Sequence, residues 1–304
     1  MRTLVHLPLA LLLAPLLPGV IHRVKAFFGG RDGVPLFQLY YDLARLLRKG
    51  AVYSRTTTWV FRAGPVVVLA STLAALTLLP LGGLPALMAF PGDLLLFAYL
   101  LALGRFFMVL AALDTGSAFE GMGASREVWY SALAEPALLL ALAAMARQSG
   151  ALSLNDLYAS LSPESLYTPG GPALLLAAAA LLVVFLAENA RIPFDDPNTH
   201  LELTMVHEVM ILDHSGPDLA FLEYASALKL WALGSLLTGL LLPLHEGGTL
   251  IDAAAGVGGL VLLAVGVGVL ESCMARLRLT RVSNLLAAAT ALAVLALMLV
   301  RRGA

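Results

Sequence analysis

Between residues 185 and 223, in the stretch FLAENARIPFDDPNTHLELTMVHEVMILDHSGPDLAFLE, the chain places Glu188, Asp195, Asp196, Glu202, Glu208, Asp213, Asp218 and Glu223, eight of its twenty carboxylates. The sequence on either side is strongly apolar. Acids held next to a low-dielectric phase are costly to ionise, and their mutual repulsion raises their proton affinity further, so some keep a proton near neutral pH. A shared proton population of this kind is what a relay needs. Glu188, Glu202 and Glu208 are the candidates here, with Glu135 as a fourth, set inside an apolar run and followed by Pro136, which removes a backbone donor. Arg126 and Arg191 are the candidate counter-charges, with Asp195, Asp196 and Asp213 as further charged partners. A plainer role, in which these acids only hold helices and neighbouring subunits in register, competes with the relay.

His200, His207 and His214 recur every seven residues and invite a metal-binding interpretation. Ligands on one helix reach a common ion at i,i+3 or i,i+4 spacing, so hydrogen-bonded, partly buried histidines are the better account. The pair His207-Glu208 lacks the second histidine of a zincin helix. Cys273 is the only cysteine, too few for a disulfide, a four-thiolate zinc site or an iron–sulfur cluster. No metal, cluster or flavin is therefore expected in this chain, and any electron chemistry belongs to partner subunits.

The elements that must position these residues are membrane helices. Of 304 residues, 60% are hydrophobic and 13% charged, against about 25% charged in soluble domains. Apolar runs long enough to cross a bilayer lie at 4–20, 59–79, 94–113, 128–145, 172–187, 219–244, 250–270 and 285–300. The expected fold is thus an all-α polytopic membrane protein of about eight spans, forming one integral domain over 1–304. The first run is read as a retained span rather than a cleaved signal. Several runs contain small residues suited to close helix approach, such as Gly234, Gly239, Gly256 and Gly268. Residues 35–49 set Leu36, Leu39, Tyr40, Leu43, Leu46 and Leu47 at helical spacing against Asp42, Arg45, Arg48 and Lys49, the pattern of an interfacial amphipathic helix. Residues 197–214 have the apolar weight of a membrane-dipping helix that carries charge, with Asp196 as its cap and Gly216-Pro217 at its end.

Twelve loop cations, including Arg23, Lys25, Arg126, Arg191 and Arg276, fall on one face, whereas Arg2, Arg147, Arg301 and Arg302 fall on the other. The positive-inside rule then places both termini outside and the long charged loops, 22–56, 114–127, 188–218 and 271–283, in the cytoplasm, as a docking surface on the inner membrane. A net charge of −1 offers no basic surplus for nucleic acid.

At these residues the chain resembles the family of membrane subunit 1 of respiratory NADH:quinone oxidoreductase and its relatives in membrane-bound [NiFe] hydrogenases. Glu188 to Asp195 looks like the family's A-E-x-x-R-x-P-F-D motif, and Glu202 and Glu208 fall where the following helix carries carboxylates. Gly123-Ala124-Ser125-Arg126 with Glu135 is similar to the family's G-A-x-R and intramembrane glutamate. Gln38 through Leu46 resembles its Q-x-x-A-D-x-x-K-L surface helix, with Tyr41 for Ala and Arg45 for Lys. His200 to Met205, Leu212 to Pro217, and Glu271-Ser272 with Met274 to Arg276 look like the hydrogenase and formate hydrogenlyase branch. The resemblance implies a membrane-anchor and proton-coupling subunit. A hydrogenase-like large subunit bearing a [NiFe] centre and an iron–sulfur subunit would dock on the cytoplasmic side, beside antiporter-like membrane subunits. A quinone-binding subunit is the alternative, requiring a lined cavity between the amphipathic helix and spans 1 and 6. A stand-alone secondary transporter is disfavoured, because the two halves show no internal symmetry.

Overall fold

A computed structural model describes residues 3, 5–195, 205–243 and 248–300. The described residues are helical apart from turns and a single bridge between Leu81 and Leu84. Seven helices are long and apolar enough to cross a bilayer: α4 (Trp59–Thr77), α5 (Asp93–Asp114), α6 (Ala118–Ser149), α8 (Gly171–Glu188), α10 (Gly216–Leu241), α11 (Thr249–Cys273) and α12 (Leu279–Leu299). Together α1 (His6–Leu13) and α2 (Leu16–Phe28), which meet at 45°, are also long and apolar enough to cross, and counted as one broken span they bring the number to eight. Pro15 cannot continue the hydrogen-bond ladder of α1, and it sits at the break as the N-cap of α2.

The amphipathic helix, α3 (Gln38–Leu47), buries no residue completely and rests on α10 and α2. Tyr40 reaches down from it to donate to the carbonyl of Leu12. α6 is longer than its apolar run suggests. Its 32 residues rise about 48 Å, so about three turns stand clear of a hydrocarbon core about 30 Å thick. Those extra turns carry Glu120, Gly123, Arg126 and Glu127.

α10 is the centre of the bundle, packed against α2, α3, α4, α8 and α11, with 72% of its apolar window buried against 28% for α12. Trp231 on α10 is fully buried and donates its indole N–H to Nε2 of His6, whose Nδ1 lies 2.9 Å from the Leu79 carbonyl. Both nitrogens of that imidazole are occupied by packing partners, and the contact ties α1 to α10. α7 (Leu154–Ala159) and a short 3₁₀ turn, Pro163–Tyr167, form the opposite end, where buried Asp93 accepts hydrogen bonds from the hydroxyl of Ser153 and the amide of Leu154.

The charged segment differs from a single membrane-dipping helix. Its described part holds only one helical turn, α9 (His207–Met210), inside a loop, and residues 197–204 lie outside the described residues. Gly216-Pro217 starts α10 instead of ending the preceding segment. Pro217 lacks an N–H that the first helical turn leaves without an intrahelical partner anyway, and Gly216 takes φ +56° to turn the chain into the helix.

Candidate functional site

The loop between α8 and α10 is seated by three contacts. Asp195, almost fully buried, accepts hydrogen bonds from the backbone N–H groups of Val206 (2.9 Å) and His207 (3.3 Å), and pairs with Arg276 at 2.9 Å. Arg126 donates to the Met205 carbonyl at 2.9 Å. Gly123 supplies the seat. A Cβ at that position would stand 2.2 Å from Val209 Cγ1 and 2.9 Å from the Val206 carbonyl, so only glycine lets the loop lie directly on α6.

At the end of α8 the chain reverses in a Schellman turn. Arg191 N–H bonds the Leu186 carbonyl at 2.9 Å, Ala190 N–H bonds that of Ala187 at 3.1 Å, and Ala190 takes the left-handed φ of 48° that glycine usually supplies. This reversal separates Glu188 from Arg191, which their closeness in sequence suggests as a pair. Glu188 accepts from Arg105 of α5 at 2.5 Å and lies 3.4 Å from Lys229 of α10, whereas Arg191 faces Glu271 of α11 at 3.7 Å, beside Lys25 of α2 at 2.8 Å. Arg105 also reaches Glu127 of α6 at 3.6 Å. Two carboxylates and two cations therefore balance in an inner cluster around Glu188, and a second set around Glu271 closes the arginine-rich end. Burial lowers the proton affinity of Arg191, with the charge of Glu271 opposing that effect.

Two cavities adjoin these clusters. The inner one, about 50 Å³, is lined by Arg105, Glu127, Glu188 and Lys229 together with apolar side chains of α4 and α5. The outer one, about 360 Å³, lies between α3, α2, α10 and the loop, and takes Asp42, Arg191, Asp195, Glu208 and Glu223 into its lining. Burial pushes Glu208 up to about 7, with the charges of Glu223 and Asp195 adding and Arg191 opposing. It is thus poised to exchange a proton at neutral pH. His207 is pushed down to about 4 by burial, reinforced by the charge of Lys229, so its ring is neutral.

Of the residues singled out in the sequence, Glu188, Glu208, Arg191 and Asp195 line one or both cavities. Glu135 lies half-buried on α6, eight residues beyond Glu127, close enough for its charge to act on Arg105. Asp213 is exposed, and its backbone N–H donates to Glu120 rather than meeting the other acids. Asp196, His200 and Glu202 lie outside the described residues. His214 stacks on Phe61, with ring centroids 4.0 Å apart and planes 8° from parallel. Among the described residues no group of three or more His, Cys, Asp or Glu side chains is placed to hold a metal ion. Arg105, Lys229 and Glu127 also belong to the site, and Glu223, counted in the acidic cluster, joins it as a lining residue of the outer cavity. Their signal was present: Arg105 and Lys229 interrupt otherwise apolar runs, and Glu120, Glu127 and Glu135 follow one another at intervals of seven and eight, which keeps them near one helical face.

Comparison with known proteins agrees with this architecture. The family model described as NADH dehydrogenase matches residues 1–301. Formate hydrogenlyase subunit 4 of Escherichia coli K12 is 31% identical over 274 residues, covering 88% of this chain and 87% of that protein. Hydrogenase-4 component C of the same organism is 34% identical over 236 residues, 77% and 72% of the two chains. A chain of the membrane-bound sulfane sulfur reductase, an archaeal respiratory membrane complex, superposes with a TM-score of 0.84 at 22% identity, covering 99% of this chain and 98% of that one, and so shares the fold.

Proposed function

The chain belongs to the NADH dehydrogenase family, and from that premise we propose that it is the membrane-anchor and proton-coupling subunit of a membrane-bound [NiFe] hydrogenase or formate hydrogenlyase-type complex. The observation that carries this reading is the pair of charged cavities around the end of α8, one holding Glu188 between Arg105 and Lys229, the other holding Glu208 and Glu223. A carboxylate shared between two cations responds strongly to any change of charge nearby, because the low dielectric screens little. A redox event in a docked subunit that moves the 188–218 loop would redistribute protons between the two cavities. The arginine-rich end is the docking surface for a hydrogenase-like large subunit and an iron–sulfur subunit, and the positive-inside rule puts it in the cytoplasm, at the inner membrane.

Quinone binding is the second reading, favoured by the position of the outer cavity between α3, α2 and α10. Four carboxylates in its lining, Asp42, Asp195, Glu208 and Glu223, suit water and ions beside whatever its apolar surface holds. Affinity isolation through a tag on this chain, followed by metal analysis and a gradient assay in sealed vesicles, tests both readings. Nickel and iron should co-purify, and Glu188→Gln should lower the gradient formed per electron transferred. Isolation of a chain that transports a solute alone, or of a complex that reduces quinone with a normal gradient in the Glu188 variant, would overturn the reading.

A further inference from the structure

The two cavities are neighbours and share four lining residues, Asn189, Ala190, His207 and Ser226, which form the wall between them. On the outer side stand Asp42 of α3, Glu223 of α10, and Asp195 and Glu208 of the loop, with Arg191 and His22 as the neighbouring cationic or titratable groups. On the inner side stand Glu188 of α8 and Glu127 of α6, with Arg105 and Lys229. The direct route for a proton between these two sets of acids crosses this wall. We infer that His207 is the group that passes it, accepting a proton from the outer cavity on one ring nitrogen and releasing one to the inner cavity from the other. This rests on the reading of the chain as a proton-coupling subunit.

Three observations support the assignment. Of the four wall residues, only His207 titrates: the Asn189 amide and Ser226 hydroxyl can hydrogen-bond, and Ala190 offers no side-chain polar atom. Its position is fixed through the backbone, by the Asp195 carboxylate on its N–H and by the seating of Val206 and Val209 on Gly123, which leaves the imidazole between the cavities. It also contrasts with His214, seven residues on, whose ring is stacked against Phe61 as a packing element. Burial and the charge of Lys229 hold the His207 ring neutral. A neutral imidazole has one donor and one acceptor nitrogen, so it can take a proton and give up the other in succession, and a short-lived imidazolium suits transfer better than storage.

The test uses the whole complex in sealed vesicles and reads protons moved per electron transferred. His207→Ala should lower that ratio at least about tenfold, since removing a general acid–base group slows a proton transfer by about 10²–10⁴-fold. Added imidazole, which can occupy the space left by the ring, should restore part of it without affecting the native complex. A normal ratio in the alanine variant overturns the inference, and so does a lowered ratio that imidazole leaves unmoved, since a purely structural role would behave that way. If the alanine variant fails to assemble, His207→Asn gives the same readout with a smaller gap, a normal ratio again counting against the inference. Normal ratios in both Glu188→Gln and Glu208→Gln would bring down the coupling reading itself. Lowered ratios in those two with a normal His207 variant would remove His207 alone.

Discussion

Replacing Glu188 by glutamine keeps the shape of the side chain and removes the charge that holds the inner cluster together. Arg105 keeps a carboxylate, Glu127 at 3.6 Å, but Lys229 loses the only carboxylate in its ion pair, 3.4 Å away, and both cations remain in a region where the Glu188 side chain is 4% exposed. Removing one partner of a buried pair costs about 3–5 kcal/mol because an uncompensated charge stays behind. The lower figure applies here, since Arg105 is still paired and Lys229 is 21% exposed. Lys229→Met should then offset most of the loss in the double variant Glu188→Gln/Lys229→Met, bringing it to within about 1 kcal/mol of the native complex, with a coupling energy of at least about 2 kcal/mol. Thermal inactivation of the detergent-solubilised complex, measured for the four members of the cycle, reads this directly. If the two effects simply add, Glu188 and Lys229 do not act as a pair and the charge-balanced picture of the inner cluster is wrong.

Three further outcomes are expected. Glu208, raised to about 7, is largely protonated below that pH and ionises as the pH passes from 6 to 8, so infrared difference spectra over this interval should lose a carboxylic-acid band that is absent in Glu208→Gln; a band unchanged by that substitution would assign the titration elsewhere. Gly123→Val should unseat the 205–211 loop at a cost of about 1–3 kcal/mol, the usual penalty for overpacking, and make it newly sensitive to proteolysis; an unchanged digest would contradict the close contact with Val209. The exposed Cys273, at the end of α11 on the arginine-rich side, should react with a membrane-impermeant maleimide in inverted vesicles and stay unlabelled in intact spheroplasts, the reverse pattern inverting the topology.

The sequence made the spans legible because a run of about 20 apolar residues carries its own length test. It misjudged α6 for the same reason. Residues 118–127 are helical but not apolar, so a criterion that detects lipid contact begins the helix at Val128. The break at Pro15 was visible as a residue type but was absorbed into a single run. The site was half legible. Glu188 and Glu208 were conspicuous as acids beside lipid, yet their surroundings were not, because Arg105 and Lys229 come from 83 and 41 residues away and only helix packing brings them to Glu188. Arg191 looked like the partner of Glu188 by closeness in sequence, and the left-handed turn at Ala190 redirects it to Glu271. A glycine at position 190 would have announced that turn.

The central place of α10 also bears on how the chain enters the membrane. Its mean hydropathy of 1.3 is the lowest of the seven single-helix spans, and Lys229 lies in its middle, where a lone lysine disfavours insertion by about 2.5–3.5 kcal/mol. The carboxylate that receives this lysine is on α8, and the Arg105 that shares it is on α5, both synthesised earlier. During biogenesis α10 therefore arrives to find its counter-charge already in the bilayer, so its partitioning from the translocon depends on helices made before it more than on its own apolar content.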